Sequence, residues 1–279
     1  MRRGHLRYLL GGGFHGLAWT EWGPTGGAPV ICVHGLTRNG RDFDALAAAL
    51  AARGRRVFCP DLPGRGGSDW LAPPALYSPP SYVIALAHLL ARIDGPVDWV
   101  GTSLGGICGM MVAAGQGQPI RRLVLNDIGS RIPTAALGRI AAYVRTQFAF
   151  DDLPALEAHL RQVHAPFGRL TDAQWRHLAE TGARTLPDGR LAPHYDPAIA
   201  DPFENSATGE VDLSAVWSRV AVPTLLLRGA DSDVLEAEVA AEMAMRPAVR
   251  LVTLPGIGHA PALMDPAQIT LVEGFLSAA

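Results

Sequence analysis

The sequence predicts an α/β protein with a mostly parallel central sheet flanked by helices. Short apolar runs bounded by turn residues alternate with helical patterns at both ends of the chain, the signature of βα units. Between Ser130 and Arg219 that rhythm gives way to successive helical segments with no strong strand. A helical insertion between two sheet strands predicts a cap over one end of the sheet. The expected division is a core of residues 1–130 and 220–279 with a cap of residues 131–219.

Leu6 to Leu10 and Gly16 to Trp22 suit an antiparallel opening pair. Pro29 to His34 reads as a buried strand, and Arg41 to Ala52 follows as an amphipathic helix. Arg56 to Cys59 is a second buried strand, ended by Pro60, and Ser81 to Ile93 is a helix. Val97 to Gly101 is a strand that runs straight into a helix near Leu104 to Ala114. Arg122 to Asn126, Val222 to Arg228 and Val249 to Leu254 are further strands, and Gln268 to Leu276 closes the chain as a helix. In the cap, Thr134–Thr146, Leu153–His164 and Asp172–Thr181 are helical, separated by the turn-rich pieces Pro187–Arg190 and Asp196–Pro197.

Composition narrows the function. At 279 residues with 48% hydrophobic and 18% charged residues, the chain has the make-up of a well-packed enzyme. A net charge of −2 without a basic block gives no electrostatic reason for nucleic acid or an anionic membrane as partner. The N-terminal apolar run is too short for a signal segment or membrane span, so a cytoplasmic location without stable membrane association is expected. Cys32, Cys59 and Cys108 are scattered and lack CxxC spacing, which argues for reduced core thiols over disulfides or zinc. Every basic residue other than histidine is arginine, which removes Schiff-base chemistry and lysine-linked cofactors.

Chemistry concentrates in two loops. Gly101-Thr102-Ser103-Leu104-Gly105 fits G-x-S-x-G and lies between a strand and a helix, where a sharp turn lifts the serine hydroxyl above the sheet. Small residues flank it because neighbouring backbone approaches closely. Pro255-Gly256-Ile257-Gly258-His259 follows the last strand and presents a histidine in a glycine-rich loop. The other histidines on helices or in the cap, His88, His159, His164, His177 and His194, have no metal-ligand spacing and read as surface or cap residues. No metal or cofactor is expected.

From about Gly16 to the C-terminus the chain resembles the α/β-hydrolase superfamily. The G-x-S-x-G turn, the His34-Gly35 pair ending the first buried strand, the His259 loop and the stretch Asp61-Leu-Pro-Gly-Arg-Gly-Gly-Ser-Asp69 carry the likeness. It implies Ser103 as nucleophile and His259 as general base, in the chain order serine, acid, histidine. It also implies an oxyanion hole from the N–H groups of Leu36 and Leu104, with the His34 ring bracing the loop. The Asp61 loop is structural by default.

The triad acid has three candidates. Most of the superfamily places it three residues after a glycine beyond the penultimate strand. Here that glycine is Gly229 and the slot holds Ser232, with Asp231 and Asp233 on either side. The stretch Leu123-Val-Leu-Asn-Asp127-Ile128 resembles instead a subgroup of bacterial serine esterases whose acid ends the strand after the nucleophile helix. Asp127 is therefore the expected acid, with Asp233 and Asp231 as alternatives and Ser232 as a supporting hydrogen-bonding group.

The resemblance implies two-step acyl transfer on a small-molecule ester, a carboxylesterase reaction. Lactonase, thioesterase, C–C bond hydrolase and haloperoxidase-like chemistries share the same groups. A non-catalytic ligand-binding or signalling protein is the alternative of another class. Among the cap aromatics Phe148, Phe150, Phe167, Trp175, Tyr195, Phe203 and Trp217, some are expected to face the pocket. Met110 and Met111 are expected in the core. Arg131, Arg139, Arg145 and Arg161 leave a carboxylate-bearing substrate open. Oligomeric state is not legible.

Overall fold

In the computed structural model, which describes residues 1–202 and 210–278, an eight-stranded sheet runs in the order β1-β2-β4-β3-β5-β6-β11-β12. Strands β1 (Arg2–Leu10) and β2 (Gly13–Trp22) are antiparallel to each other, and β2 is antiparallel to β4 (Arg56–Pro60). From β4 the sheet is parallel through β3 (Pro29–Val33), β5 (Val97–Thr102), β6 (Ile120–Asn126), β11 (Thr224–Gly229) and β12 (Val249–Leu254). Every strand expected from the sequence is present, its ends within three residues of those expected except that β1 starts four residues earlier, at Arg2.

The central strands are apolar at successive positions because both faces are covered. In β3, Ile31 and Val33 enter one core while Val30 and Cys32 enter the other; in β6, Leu123 and Leu125 oppose Val124. The first core lies under α2 (Pro79–Leu90) and α3 (Leu104–Ala113). The second lies under α1 (Asp44–Ala52) and the closing helix Pro266–Ser277. The helix expected from Arg41 begins as a 3₁₀ turn over Gly40–Phe43, whose start is capped by the Asn39 side chain. That expected at Ser81 starts at Pro79, behind the Ser78 cap. Ala237–Ala244 forms a helix that the sequence reading passed over, although its Ala and Glu residues favour helix strongly. Cys32, Cys59 and Cys108 are buried free thiols, and Met110 is in the core.

The segment between β6 and β11 carries α4 (Thr134–Arg145), α5 (Leu153–Val163) and α6 (Asp172–Gly182). Its base is closed by β7 (Arg131–Ile132) pairing with β10 (Val211–Asp212). One correction concerns its strands: β8 (Ala183–Thr185) and β9 (Leu191–Pro193) form a hairpin, and Pro187–Arg190 is its turn. Each strand is only three residues long, too short to give a periodic signal. Phe203 lies outside the described residues. Among those described, no helix is long and apolar enough to cross a membrane.

Candidate active site

Ser103 joins β5 to α3 with φ 50° and ψ −115°, a conformation that residues with a Cβ rarely adopt. Its N–H donates to the Asn126 carbonyl at 3.0 Å, and its carbonyl accepts from Gly106 N–H at 2.8 Å. A Cβ on Gly101 would collide with the Gly105 carbonyl, and one on Gly105 with the Val33 carbonyl. Glycine at both positions is what lets α3 start against β3 and β5. The strain at Ser103, of order 1–3 kcal/mol, is held by this packing.

His259 reaches Ser103 from the loop after β12. Its Nε2 lies 2.9 Å from Ser103 Oγ, and its Nδ1 lies 2.7 Å from Asp127 Oδ2. A carboxylate in this chain of contacts can only accept, so Nδ1 carries the proton and Nε2 faces the serine hydroxyl as an acceptor. Asp127 is the first residue beyond β6 and is fully buried. Its Oδ1 accepts from Gly229 N–H at 2.7 Å, and its Oδ2 also accepts from the Ser232 hydroxyl at 2.5 Å. Ser232 Oγ itself accepts from the N–H groups of Val234 (3.2 Å) and Leu235 (3.1 Å). With both lone pairs engaged, its proton points at Asp127. Three donors thus converge on one buried carboxylate, which satisfies it without a cation.

The other two acid candidates line the same cavity but do not bond to the imidazole. Asp233 is half exposed and forms a bidentate pair with Arg139 of α4 at 2.7 and 2.9 Å. Asp231 is exposed, and its N–H donates to the Ile257 carbonyl at 2.9 Å, bracing the histidine loop by its backbone. Neither carboxylate contacts His259 among the described residues.

Leu36 follows His34-Gly35 in the loop after β3, beside Ser103: a Cβ on Gly35 would sit 3.7 Å from that of Ser103. Leu104 opens α3, where helix-end N–H groups are free to bind an anion. Neither the Leu36 nor the Leu104 N–H has a protein acceptor among the described residues. The His34 ring is buried, with Nε2 accepting from Leu62 N–H at 2.8 Å and Nδ1 donating to the Gly35 carbonyl at 2.7 Å. Burial pushes its pKa down to about 3, so it is a neutral brace between two loops. Arg65, also fully buried, donates from Nε to the Leu36 carbonyl at 2.8 Å. Asp61 accepts from Gly40 and Gly67 N–H, both at 2.8 Å, which fixes the loop that carries Arg65.

A cavity of about 640 Å³ opens above Ser103 and His259, a normal size for a small-molecule site. Its walls are mostly apolar and include Leu36, Phe43, Ile140, Val144, Phe167 and Met264. Of the described cap aromatics expected near the pocket, Phe167 lines it; Trp175, Tyr195 and Trp217 are buried elsewhere, and Phe148 and Phe150 pack against His159. Of the cap arginines, Arg139 lines it, while Arg131 pairs with Glu242 and Arg161 with Glu157. Tyr143 and Arg38, which the sequence reading does not name, line the cavity, and so does His164. His164 was set aside as a cap residue; only its place at the end of α5, next to Phe167, would have flagged it.

Comparison with known proteins agrees with this architecture. Over the whole chain the sequence is 41% identical to a 3-hydroxybutyrate-oligomer hydrolase of Cupriavidus necator, covering 98% of that protein. An α/β hydrolase from Novosphingobium aromaticivorans superposes with a TM-score of 0.87 at 38% identity, over 98% of each chain. An E-2-(acetamidomethylene)succinate hydrolase superposes with a TM-score of 0.85 at 26% identity, over 99% of this chain and 100% of that one. The model of the alpha/beta hydrolase family matches residues 30–270, and the chain belongs to that family.

Proposed function

We propose that this hydrolase is a serine carboxylesterase acting on small, short-chain esters through an acyl-enzyme. The observation that carries the reading is the unbroken chain of contacts from Ser103 Oγ to His259 (2.9 Å) and from His259 to Asp127 (2.7 Å). Ser103 attacks the ester carbonyl while His259 Nε2 takes its proton. Asp127 fixes the histidine tautomer and stabilises the imidazolium. The Leu36 and Leu104 N–H groups receive the oxyanion, each donor contributing about 3–4 kcal/mol to the transition state. His259 then protonates the leaving alcohol, and water attacks the acyl-enzyme by the same route in reverse. The relative's 3-hydroxybutyrate oligomers are esters of a short hydroxy acid, and the largely apolar cavity suits such a chain.

Fluorophosphonate labelling and hydrolysis of p-nitrophenyl esters from C2 to C12 test this. Ser103→Ala is expected to abolish labelling, and Asp127→Asn to lower kcat by about 10³-fold or more, with both variants folded by circular dichroism. Asp233→Asn and Asp231→Asn are expected to stay within about threefold of wild type, since neither carboxylate bonds to Ser103 or His259. Damage confined to Asp233→Asn would move the acid to that position. An unlabelled wild type inert toward every ester would overturn the reading.

A further inference from the structure

Tyr143 and His164 are among the polar side chains lining the cavity that the acyl-transfer steps do not use. His164 ends α5, and its ring stacks on Phe167 with centroids 4.4 Å apart and planes 20° apart. Tyr143 of α4 meets it edge-on at 6.4 Å. Both line the cavity with Ser103 and His259. The turn holding His164 is tied to the catalytic loop, because the Pro166 carbonyl accepts from Gly258 N–H at 2.9 Å and the Phe167 carbonyl from Ala262 N–H at 3.3 Å. Among the described residues neither ring nitrogen of His164 nor the Tyr143 hydroxyl has a hydrogen-bond partner. Two aromatic contacts thus orient groups whose polar edges are left for something else.

The charge state narrows what that is. Burial first, then the nearby Arg38, His159 and His259, push the His164 pKa well below the ordinary histidine value. A neutral imidazole offers one donor and one acceptor, and a phenol offers the same pair. The cavity's two arginines are already engaged, Arg38 by Asp42 at 2.7–3.2 Å and by the Leu178 carbonyl, and Arg139 by Asp233 at 2.7 and 2.9 Å. The pair therefore matches a neutral hydroxyl, which both gives and takes a proton, better than a carboxylate. An unsubstituted acyl chain would displace water from both groups and return no hydrogen bond.

We propose that Tyr143 and His164 form a hydroxyl-recognition subsite that makes the enzyme selective for hydroxyacyl esters over their deoxy counterparts. This deepens the esterase reading and rests on it.

The test compares kcat/KM for ethyl 3-hydroxybutyrate and ethyl butyrate. Wild type is expected to favour the hydroxy ester by about tenfold or more, the equivalent of one or two hydrogen bonds. His164→Phe, which keeps the stack on Phe167, and Tyr143→Phe are each expected to lower that ratio several-fold, with partial recovery in His164→Gln. Calorimetric titration of Ser103→Ala with 3-hydroxybutyrate and with butyrate reads the same preference without turnover. A wild-type ratio near one, equal affinities for the two acids, or a ratio unchanged in both phenylalanine variants overturns the subsite. Fluorophosphonate separates the two failures: a labelled enzyme without preference loses only the subsite, whereas an unlabelled and inert one loses the esterase reading and the subsite with it.

Discussion

At Ser232 a hydroxyl stands between two backbone donors and the Asp127 carboxylate. Ser232→Ala removes one of three donors from a fully buried acid, and kcat on p-nitrophenyl butyrate is expected to fall about tenfold with KM little changed. An unchanged kcat would mean that Gly229 and His259 alone hold the carboxylate. His34 gives a second prediction, in stability. The unfolded chain protonates this histidine below about pH 6.5, while the folded protein does so only near 3 because burial opposes the charge. Between those values the unfolded state binds more protons, so stability is lost as pH falls, by about 1.4 kcal/mol per unit from this residue. His34→Gln keeps an acceptor for Leu62 and a donor for Gly35 without titrating. Its urea-unfolding free energy is expected to fall less steeply between about pH 6.5 and 4.5 than that of wild type; equal slopes would contradict a neutral buried ring.

The elbow shows how elements constrain one another. Gly105 is the second residue after Ser103, and a Cβ there would press into the Val33 carbonyl, which cannot move without displacing β3. Gly105→Ala is expected to destabilise the fold by about 3 kcal/mol or more, read by denaturant unfolding. A loss below about 1 kcal/mol would mean that α3 can shift away from the sheet. Such elements were legible because their demands are local. Parallel strands buried on both faces give unbroken apolar runs, and the turn into α3 needs glycine on both sides of Ser103. Asp127 was a candidate for the same reason, as Asp231 and Asp233 were, and only the resemblance of its stretch to an esterase subgroup set it first. What separates it from Asp233 was not legible. Asp233 faces Arg139, a helix residue 94 positions away, and that encounter depends on how α4 lies across the β11 loop. The places of Tyr143 and His164 at the cavity were not legible on the same grounds, since they depend on how α4 and the end of α5 pack around Phe167. The β8–β9 hairpin escaped because three-residue strands are shorter than any alternation that could mark them.

Across the whole molecule, the insertion and the sheet share their packing. The small cluster built on Leu156, Leu160, Trp175 and Leu178 is completed by Met264 from beyond β12, with Ala45 and Ala262 packed against it. Arg38 and Asn39, immediately after the Leu36 loop, donate to the Leu178 and Thr181 carbonyls in the last turn of α6. Main-chain bonds join Gly66 to His194 at 3.1 Å, Gly64 to Asp196 at 2.7 Å and Pro166 to Gly258 at 2.9 Å. By contrast, the exposed Arg139–Asp233 and Arg131–Glu242 pairs are weak and screened by salt. The attachment therefore rests on apolar packing and on hydrogen bonds to backbone carbonyls, and the insertion would leave Met264 uncovered and Arg38 and Asn39 without their carbonyl acceptors if it melted first. Calorimetry is expected to give one transition, with a van't Hoff enthalpy close to the calorimetric one. Its midpoint is expected to move by no more than a few degrees between low salt and about 0.5 M sodium chloride, as the loss of a weak, screened pair allows. Two transitions, the earlier one salt-sensitive, would show instead that surface charge holds the insertion. The cavity over Ser103 would then open at a free-energy cost well below that of global unfolding.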